Sequence, residues 1–347
     1  MLFLPLKSYA ISTSATSVIL MDMDNNRILY QKNIHKVRSV ASISKIMTCI
    51  LTIENINLDR EIIVGNEIDE AYGSGIYIKK GEKLTIKDLL YGLMLRSGND
   101  ASYSIAKNTF GSVDKFVENM NLLASKIGMK NTIFNNPNGL DEKKGNYSTA
   151  YDMALLTSYA YQNEIYRKIT STNKYQLNTN MNTYIWYNKH KLLNSYQYAT
   201  GGKTGYTKIA KRTLVTTASK DGLDLVVVTL NDGNDFSDHK ALFEYAFQNY
   251  QNYSILKKGN LKIKEDYYKY YDLYINNDFN YPLTKEEKNI IKVEYEFEKI
   301  KNIKNDTKVG TAKIYIGDEN IHNEDIYVKT KKKEKKKNLI EWFKSLW

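Results

Sequence analysis

Ser42 and Lys45 stand three residues apart in the run Ala41-Ser42-Ile43-Ser44-Lys45-Ile46-Met47-Thr48. On a helix that spacing puts both side chains on one face, one turn apart. A lysine amine within reach of a serine hydroxyl can act as its base, which turns the serine into a nucleophile for acyl transfer. The apolar residues after Lys45 would sink the helix into a core, where desolvation disfavours a charged amine. Spacing alone proves nothing, because Ser104/Lys107, Ser112/Lys115, Ser171/Lys174, Ser237/Lys240 and Ser254/Lys257 repeat it. Two later elements single out the first pair. Ser97-Gly98-Asn99 follows, and then Lys203-Thr204-Gly205, the only Lys-Thr-Gly in the chain, directly after Gly201-Gly202. Taken singly, these are a helix pair, a turn and a strand end. Taken together and in order, they are candidates for one site.

The elements that must position them follow from period and punctuation. Strands are expected at 17–22 and 28–31, joined by the turn Asp24-Asn25-Asn26. Thr85 with Asp88 forms a capping box for a helix to about Leu95, Ser97-Gly98-Asn99 breaks it, and another helix starts near Ala101. Ser112 opens a further helix that closes near Gly128. Thr149 with Asp152 caps the next one, to about Tyr161. Between these two lies the dense turn signal Asn135-Asn136-Pro137-Asn138-Gly139. Strands then return at 174–178, 183–187, 202–207, 213–219 and 223–231, followed by an amphipathic helix over 236–250. Strands, then helices, then strands again predict an antiparallel sheet covered by helices.

With these elements in place, the trio resembles that of the penicillin-recognising serine enzymes. From about Ser17 to Tyr250 the chain is similar to low-molecular-mass penicillin-binding proteins, the serine-type D-alanyl-D-alanine carboxypeptidases. The likeness is carried by the Ser42 run, by residues 88–101 around Ser97-Gly98-Asn99, by Asn136-Pro137-Asn138-Gly139-Leu140 and by residues 200–207 around Lys203. It implies an α+β class and a penicillin-binding/β-lactamase-like transpeptidase fold, an antiparallel sheet with helices on both sides. A small all-β domain and a C-terminal amphipathic helix would follow. The expected division is 1–10 as part of a leader, 11–252 catalytic, 253–329 the β domain, and 330–347 a basic linker and membrane anchor.

The resemblance also implies roles. Ser42 attacks the carbonyl between two terminal D-alanines and Lys45 takes its proton. Ser97 passes a proton to the leaving amine, and Asn99 holds Lys45 and the substrate amide. Lys203 and Thr204 bind the free carboxylate on the strand that continues through Gly205 and Tyr206. The N–H groups of Ser42 and Tyr206 form the oxyanion hole. The implied partners are peptidoglycan stem peptides and β-lactams as covalent inhibitors, with no cofactor and no metal. The expected location is the outer face of the cytoplasmic membrane. Asn138 and Asn146 depart from relatives that often carry histidine there, and no chemistry is assigned to either. Arg212 is open to two readings, a carboxylate contact or an exposed strand charge.

Composition sets the remaining bounds. The chain has 347 residues, 42% of them apolar, enough for a sizeable core. Its net charge is +11, and residues 329–347 hold eight lysines against Glu334 and Glu341, over half of the excess. Beside that basic run, Leu339, Ile340, Trp342, Phe343, Leu346 and Trp347 fall on one helical face, which suits an anionic membrane surface. Charge gathered in a tail, with no recognised motif elsewhere, argues against nucleic acid. Cys49 is the single cysteine and reads as a core thiol. The four histidines are scattered, with no zinc motif. A β-lactamase would need a deacylating glutamate, and Glu142 and Glu164 sit in unsupportive contexts. A D,D-endopeptidase would use the same machinery on cross-linked peptides. A non-catalytic wall-binding scaffold would have no need of Ser42, Lys45 and Lys203 together.

Overall fold

The computed structural model describes residues 11–141 and 144–330. The leader expected over 1–10 and the anchor expected over 331–347 lie outside the described residues. The chain divides between Asn249 and Tyr250 into two compact units.

The first unit is built on a five-stranded antiparallel sheet. Its strands are β1 (Ser17–Asp22), β2 (Ile28–Lys32), β3 (Ala199–Thr207), β4 (Lys211–Lys220) and β5 (Leu223–Leu230), in the spatial order β2-β1-β5-β4-β3. All six residues of β1 are buried, as are seven of the eight in β5. Successive strand residues point to opposite faces, so both faces of the sheet centre are covered.

The chain between β2 and β3 supplies helices α1 (Lys45–Asn55), α2 (Ile86–Arg96), α3 (Asn99–Phe110), α4 (Val113–Ile127), α5 (Ala150–Tyr161) and α6 (Glu164–Ser171). A later helix, α7 (Asp235–Asn249), packs on β4 and β5, while α5 packs on β1 and β5. Helix α1 is the hub. Its residues 45–52 are all buried, including Cys49, whose thiol is pushed up by burial and is an inert core group. A helix buried on every side needs neighbours on every side, and α2, α3, α4, α5 and α6 all pack against it.

Local signals account for the helix ends. Thr85 and Asp88 make the expected capping box on α2. Ser112 and Thr149 each accept a backbone N–H at the starts of α4 and α5. One expectation needs correction. Ser42 is not on the α-helix proper but in a 3₁₀ turn, Ala41–Ser44, and Lys45 is the first α-helical residue. In 3₁₀ geometry residues i and i+3 eclipse, so the tighter turn still stacks Ser42 against Lys45.

The second unit is built on β-strands, with a short helix at Lys285–Lys288 and a 3₁₀ turn at Asp266–Tyr268. Strands Gly259–Asn260, Tyr271–Ile275, Glu319–Thr330, Lys308–Ile316 and Ile291–Phe297 form one antiparallel sheet in that order, and Gln251–Leu256 pairs with Phe279–Leu283. Its core gathers Tyr268, Val309, Ala312, Ile314, Ile326 and Val328. Among the described residues of both units, no helix is long and apolar enough to cross a membrane.

Candidate active site

The three sequence elements meet at one cleft of the first unit. Helix α1 starts it: Lys45 Nζ lies 3.1 Å from Ser42 Oγ, 2.8 Å from Asn99 Oδ1 and 2.5 Å from the main-chain oxygen of Asn138. Lys45 is fully buried and Ser42 half-buried, so the hydroxyl can meet a substrate while the amine cannot meet bulk water.

The break between α2 and α3 supplies the second element. Ser97 ends α2 in the left-handed conformation, φ 64°, and Asn99 is the first residue of α3. This two-residue reversal turns both side chains inward. Ser97 Oγ accepts from Lys203 Nζ at 3.1 Å. Asn99 Nδ2 donates to Tyr72 O at 2.5 Å, and Asn99 N donates to Ser74 O at 2.8 Å, so the carboxamide faces Lys45 with its oxygen.

Strand β3 supplies the third, and it is an edge of the sheet. Lys203 pairs with Val215, Thr204 with Leu214, Gly205 with Thr213 and Tyr206 with Arg212. Lys203 is buried, while Tyr206 is 64% exposed at the cleft. Gly205 is needed for the close approach: a Cβ there would fall 2.4 Å from Thr213 Oγ1 and 3.0 Å from Ser42 N. Thr213 Oγ1 also donates to Val40 O at 3.0 Å, tying β4 to the turn that holds the serine. The cleft is about 600 Å³ and is lined by Ser42, Ser74, Ser97, Lys189, Thr204 and Tyr206 among others.

Charge is concentrated here. Burial first, then the positive charges of Lys203 and Lys189, push the Lys45 amine well below its usual range, against a smaller upward pull from Asp100. Burial, with Lys189 second, lowers Lys203 to about 7. Such shifts are what active sites arrange.

The structure adds groups that residue-type reasoning did not find. Lys189 is one. It reaches the cleft because its N–H bonds Leu95 O at 3.1 Å, while the neighbouring His190 ring bonds Val215 O at 3.1 Å, directly under Lys203. Burial, together with Arg96, lowers the Lys189 amine as well. Nothing in Asn188-Lys189-His190-Lys191 marks it out from other basic stretches. The Asn138 main-chain oxygen is the second, and it corrects the expectation of no chemistry at that position. A backbone carbonyl leaves no residue signature. Arg212 is an exposed charge on β4, as one of its two readings has it, with its guanidinium held by Asp235 at 2.6 and 3.0 Å on the rim of the cleft. Glu164 is exposed at the start of α6, 3.9 Å from Arg167.

A buried amine beside a serine, on a helix facing an edge strand that carries Lys-Thr-Gly, defines the penicillin-recognising class of serine acyl-transfer enzymes. Comparison with known proteins gives the family. Residues 6–234 match the D-alanyl-D-alanine carboxypeptidase family, and residues 250–338 match the penicillin-binding protein 5 C-terminal domain. The chain is 32% identical over 272 residues to the D-alanyl-D-alanine carboxypeptidase DacF of Bacillus subtilis, covering 75% of this chain and 70% of that protein. It superposes on penicillin-binding protein 5 of Haemophilus influenzae with a TM-score of 0.79 at 25% identity, covering 92% and 97% of the two chains. A D,D-transpeptidase of Streptomyces K15 matches at 30% identity and TM-score 0.64, over 68% of this chain and 99% of that one. The chain belongs to the serine D-alanyl-D-alanine carboxypeptidase family of penicillin-binding proteins, hydrolases of cell-wall synthesis.

Proposed function

We propose that Ser42 is the nucleophile with which this carboxypeptidase removes the terminal D-alanine from peptidoglycan stem pentapeptides, and the residue that β-lactams acylate. The observation that carries this reading is the Lys45 amine, buried and 3.1 Å from Ser42 Oγ. A neutral amine has two N–H donors and one lone pair. Asn99 Oδ1 and Asn138 O can only accept, so they take the two N–H groups and leave the lone pair facing the serine.

The cycle follows. The substrate carboxylate sits at Lys203 and Thr204. Ser42 Oγ attacks the carbonyl carbon of the penultimate D-alanine and its proton passes to Lys45. The N–H groups of Ser42 and Tyr206 receive the oxyanion, and the absent side chain at Gly205 is what lets that strand come close enough. The C–N bond breaks, and the proton reaches the leaving amine through Ser97, which Lys203 holds by hydrogen bond. Water then hydrolyses the ester, releasing the tetrapeptide carboxylate and restoring Ser42. The enzyme works outside the cytoplasm. The finer placement, on an anionic membrane through the lysine-rich, tryptophan-bearing tail, rests on the sequence of residues 331–347.

A fluorescent penicillin should label the protein covalently, and Ser42→Ala should abolish the label. Labelling that survives the change would sink the assignment. Pentapeptide ending in D-Ala-D-Ala should release D-alanine. Cleavage of cross-linked dimers alone would favour an endopeptidase instead.

A further inference from the structure

We propose that Asn136 is a positioning residue for the base, gripping the N–H of the Asn138–Gly139 peptide and so aiming the carbonyl of that same peptide at the Lys45 amine. The proposal rests on the reading of Lys45 as the base that activates Ser42.

A trans peptide is planar, with its N–H and C=O pointing in opposite directions. Holding one end therefore orients the other. Gly139 N donates to Asn136 Oδ1 at 2.6 Å, and Lys45 Nζ donates to the Asn138 oxygen of that peptide at 2.5 Å. The peptide is clamped between a carboxamide and the amine. Asn138 N also donates to Asn136 Oδ1, at 3.2 Å, so one oxygen holds two successive peptides.

The clamp is itself braced. Asn136 Nδ2 donates to Leu140 O and Lys144 O, at 3.0 and 2.9 Å. The buried Asn146 carboxamide accepts from Asn135 N and Asn136 N and donates to Asn136 O. From α1 itself, Thr48 Oγ1 donates to Pro137 O at 2.7 Å. Gly139 is required because its φ is +83° and a Cβ would fall 2.1 Å from Ala41 O. No other part of the chain aims a main-chain group at the base in this way among the described residues.

The consequence is specific. Two fixed acceptors stop the Lys45 amine from rotating and point its lone pair at Ser42. Hydrogen bonds in series polarise one another, so the gripped carbonyl is the better acceptor and favours the charged amine. Releasing it lowers the pH at which Lys45 loses its proton and misaligns the base.

The test is the rate of acylation by a fluorescent penicillin against pH in the full chain, with thermal unfolding measured beside it. Asn136→Ala should lower the plateau by about tenfold or more and move the acid limb to lower pH. Asn136→Asp keeps the acceptor for Gly139 N and gives up only the donor to Leu140 O and Lys144 O, a loss to be read in the melting temperature. It should restore the plateau to within about threefold of wild type, with its charge leaving the limb at or above the wild-type position. Asn136→Ala with a plateau within about twofold and an unmoved limb would overturn the proposal. So would equal losses in the two variants, or a lowered plateau and melting temperature with no movement of the limb. If the alanine variant does not fold, the aspartate variant decides: a folded protein whose acid limb moves to lower pH overturns the clamp, and a limb at or above the wild-type position supports it. Ser42→Ala run in parallel separates the two readings. Labelling that persists there removes the nucleophile assignment, whereas normal Asn136 variants remove only the clamp.

Discussion

Lys45 and Lys203 are both buried, and the proposed cycle asks opposite charge states of them. In the proposed cycle Lys45 must be neutral to take the serine proton, while Lys203 binds the carboxylate best as a cation. Burial lowers both amines, and their mutual repulsion makes their titrations a property of the pair. Activity should fall on the acid side as Lys45 becomes protonated. In the free enzyme, substrate capture should weaken on the basic side as pH rises through about 7 and Lys203 discharges. Lys189 lies behind both shifts, depressing each amine by its positive charge. Removing it raises both. Lys189→Ala should therefore displace the whole profile of kcat/KM toward higher pH, both limbs moving together. A profile that stays in place would show that Lys189 does not set the charge of the site. A peptide with an amidated C-terminus has no carboxylate for Lys203, so its basic limb should flatten.

At the scale of elements, the site is an edge strand drawn against a helix start. The strand can come close only because Gly205 has no side chain. Gly205→Ala would push a Cβ to 2.4 Å from Thr213 Oγ1 and 3.0 Å from Ser42 N, parting β3 from the serine turn. Penicillin acylation should drop by about a hundredfold or more, the scale of losing an oxyanion donor, with the melting temperature much less affected. Acylation within about threefold of wild type would contradict the close approach. The capping box on α2 acts differently. Thr85 and Asp88 satisfy two backbone donors far from the cleft, so Thr85→Ala should cost about 1 kcal/mol of stability and leave acylation unchanged. Equilibrium unfolding in urea, run beside a labelling assay, separates the two effects.

For the whole molecule, every residue assigned to the reaction lies in the first compact unit, before Asn249. A chain ending at residue 249 should keep penicillin acylation within a few-fold of the full protein. Loss of acylation by a folded truncation would assign the β unit a part in the reaction. Deleting residues 338–347 should release the protein from membranes while leaving D-alanine release intact, because the tail carries the paired tryptophans and no site residue. A deletion variant that stays fully membrane-bound would refute the anchor.

The trio, the α+β class and most element positions are legible in the residues alone. Those features are written in residue types at short spacing: Ser42 to Lys45, a Thr85 cap, a Ser-Gly-Asn break, alternating strands. The apolar run after Lys45 points to burial of that amine, but how complete the burial is depends on five helices packing around α1. Three further features depend on contacts between residues remote in the chain. Lys189 reaches the cleft through bonds to Leu95 and Val215, which are remote in sequence. Arg212 is taken up by Asp235, 23 residues on. The Asn138 carbonyl meets Lys45 across 93 residues, and a main-chain oxygen is the same in every residue type. Side-chain chemistry is legible in a sequence, but what a backbone group faces is decided only when the chain has folded.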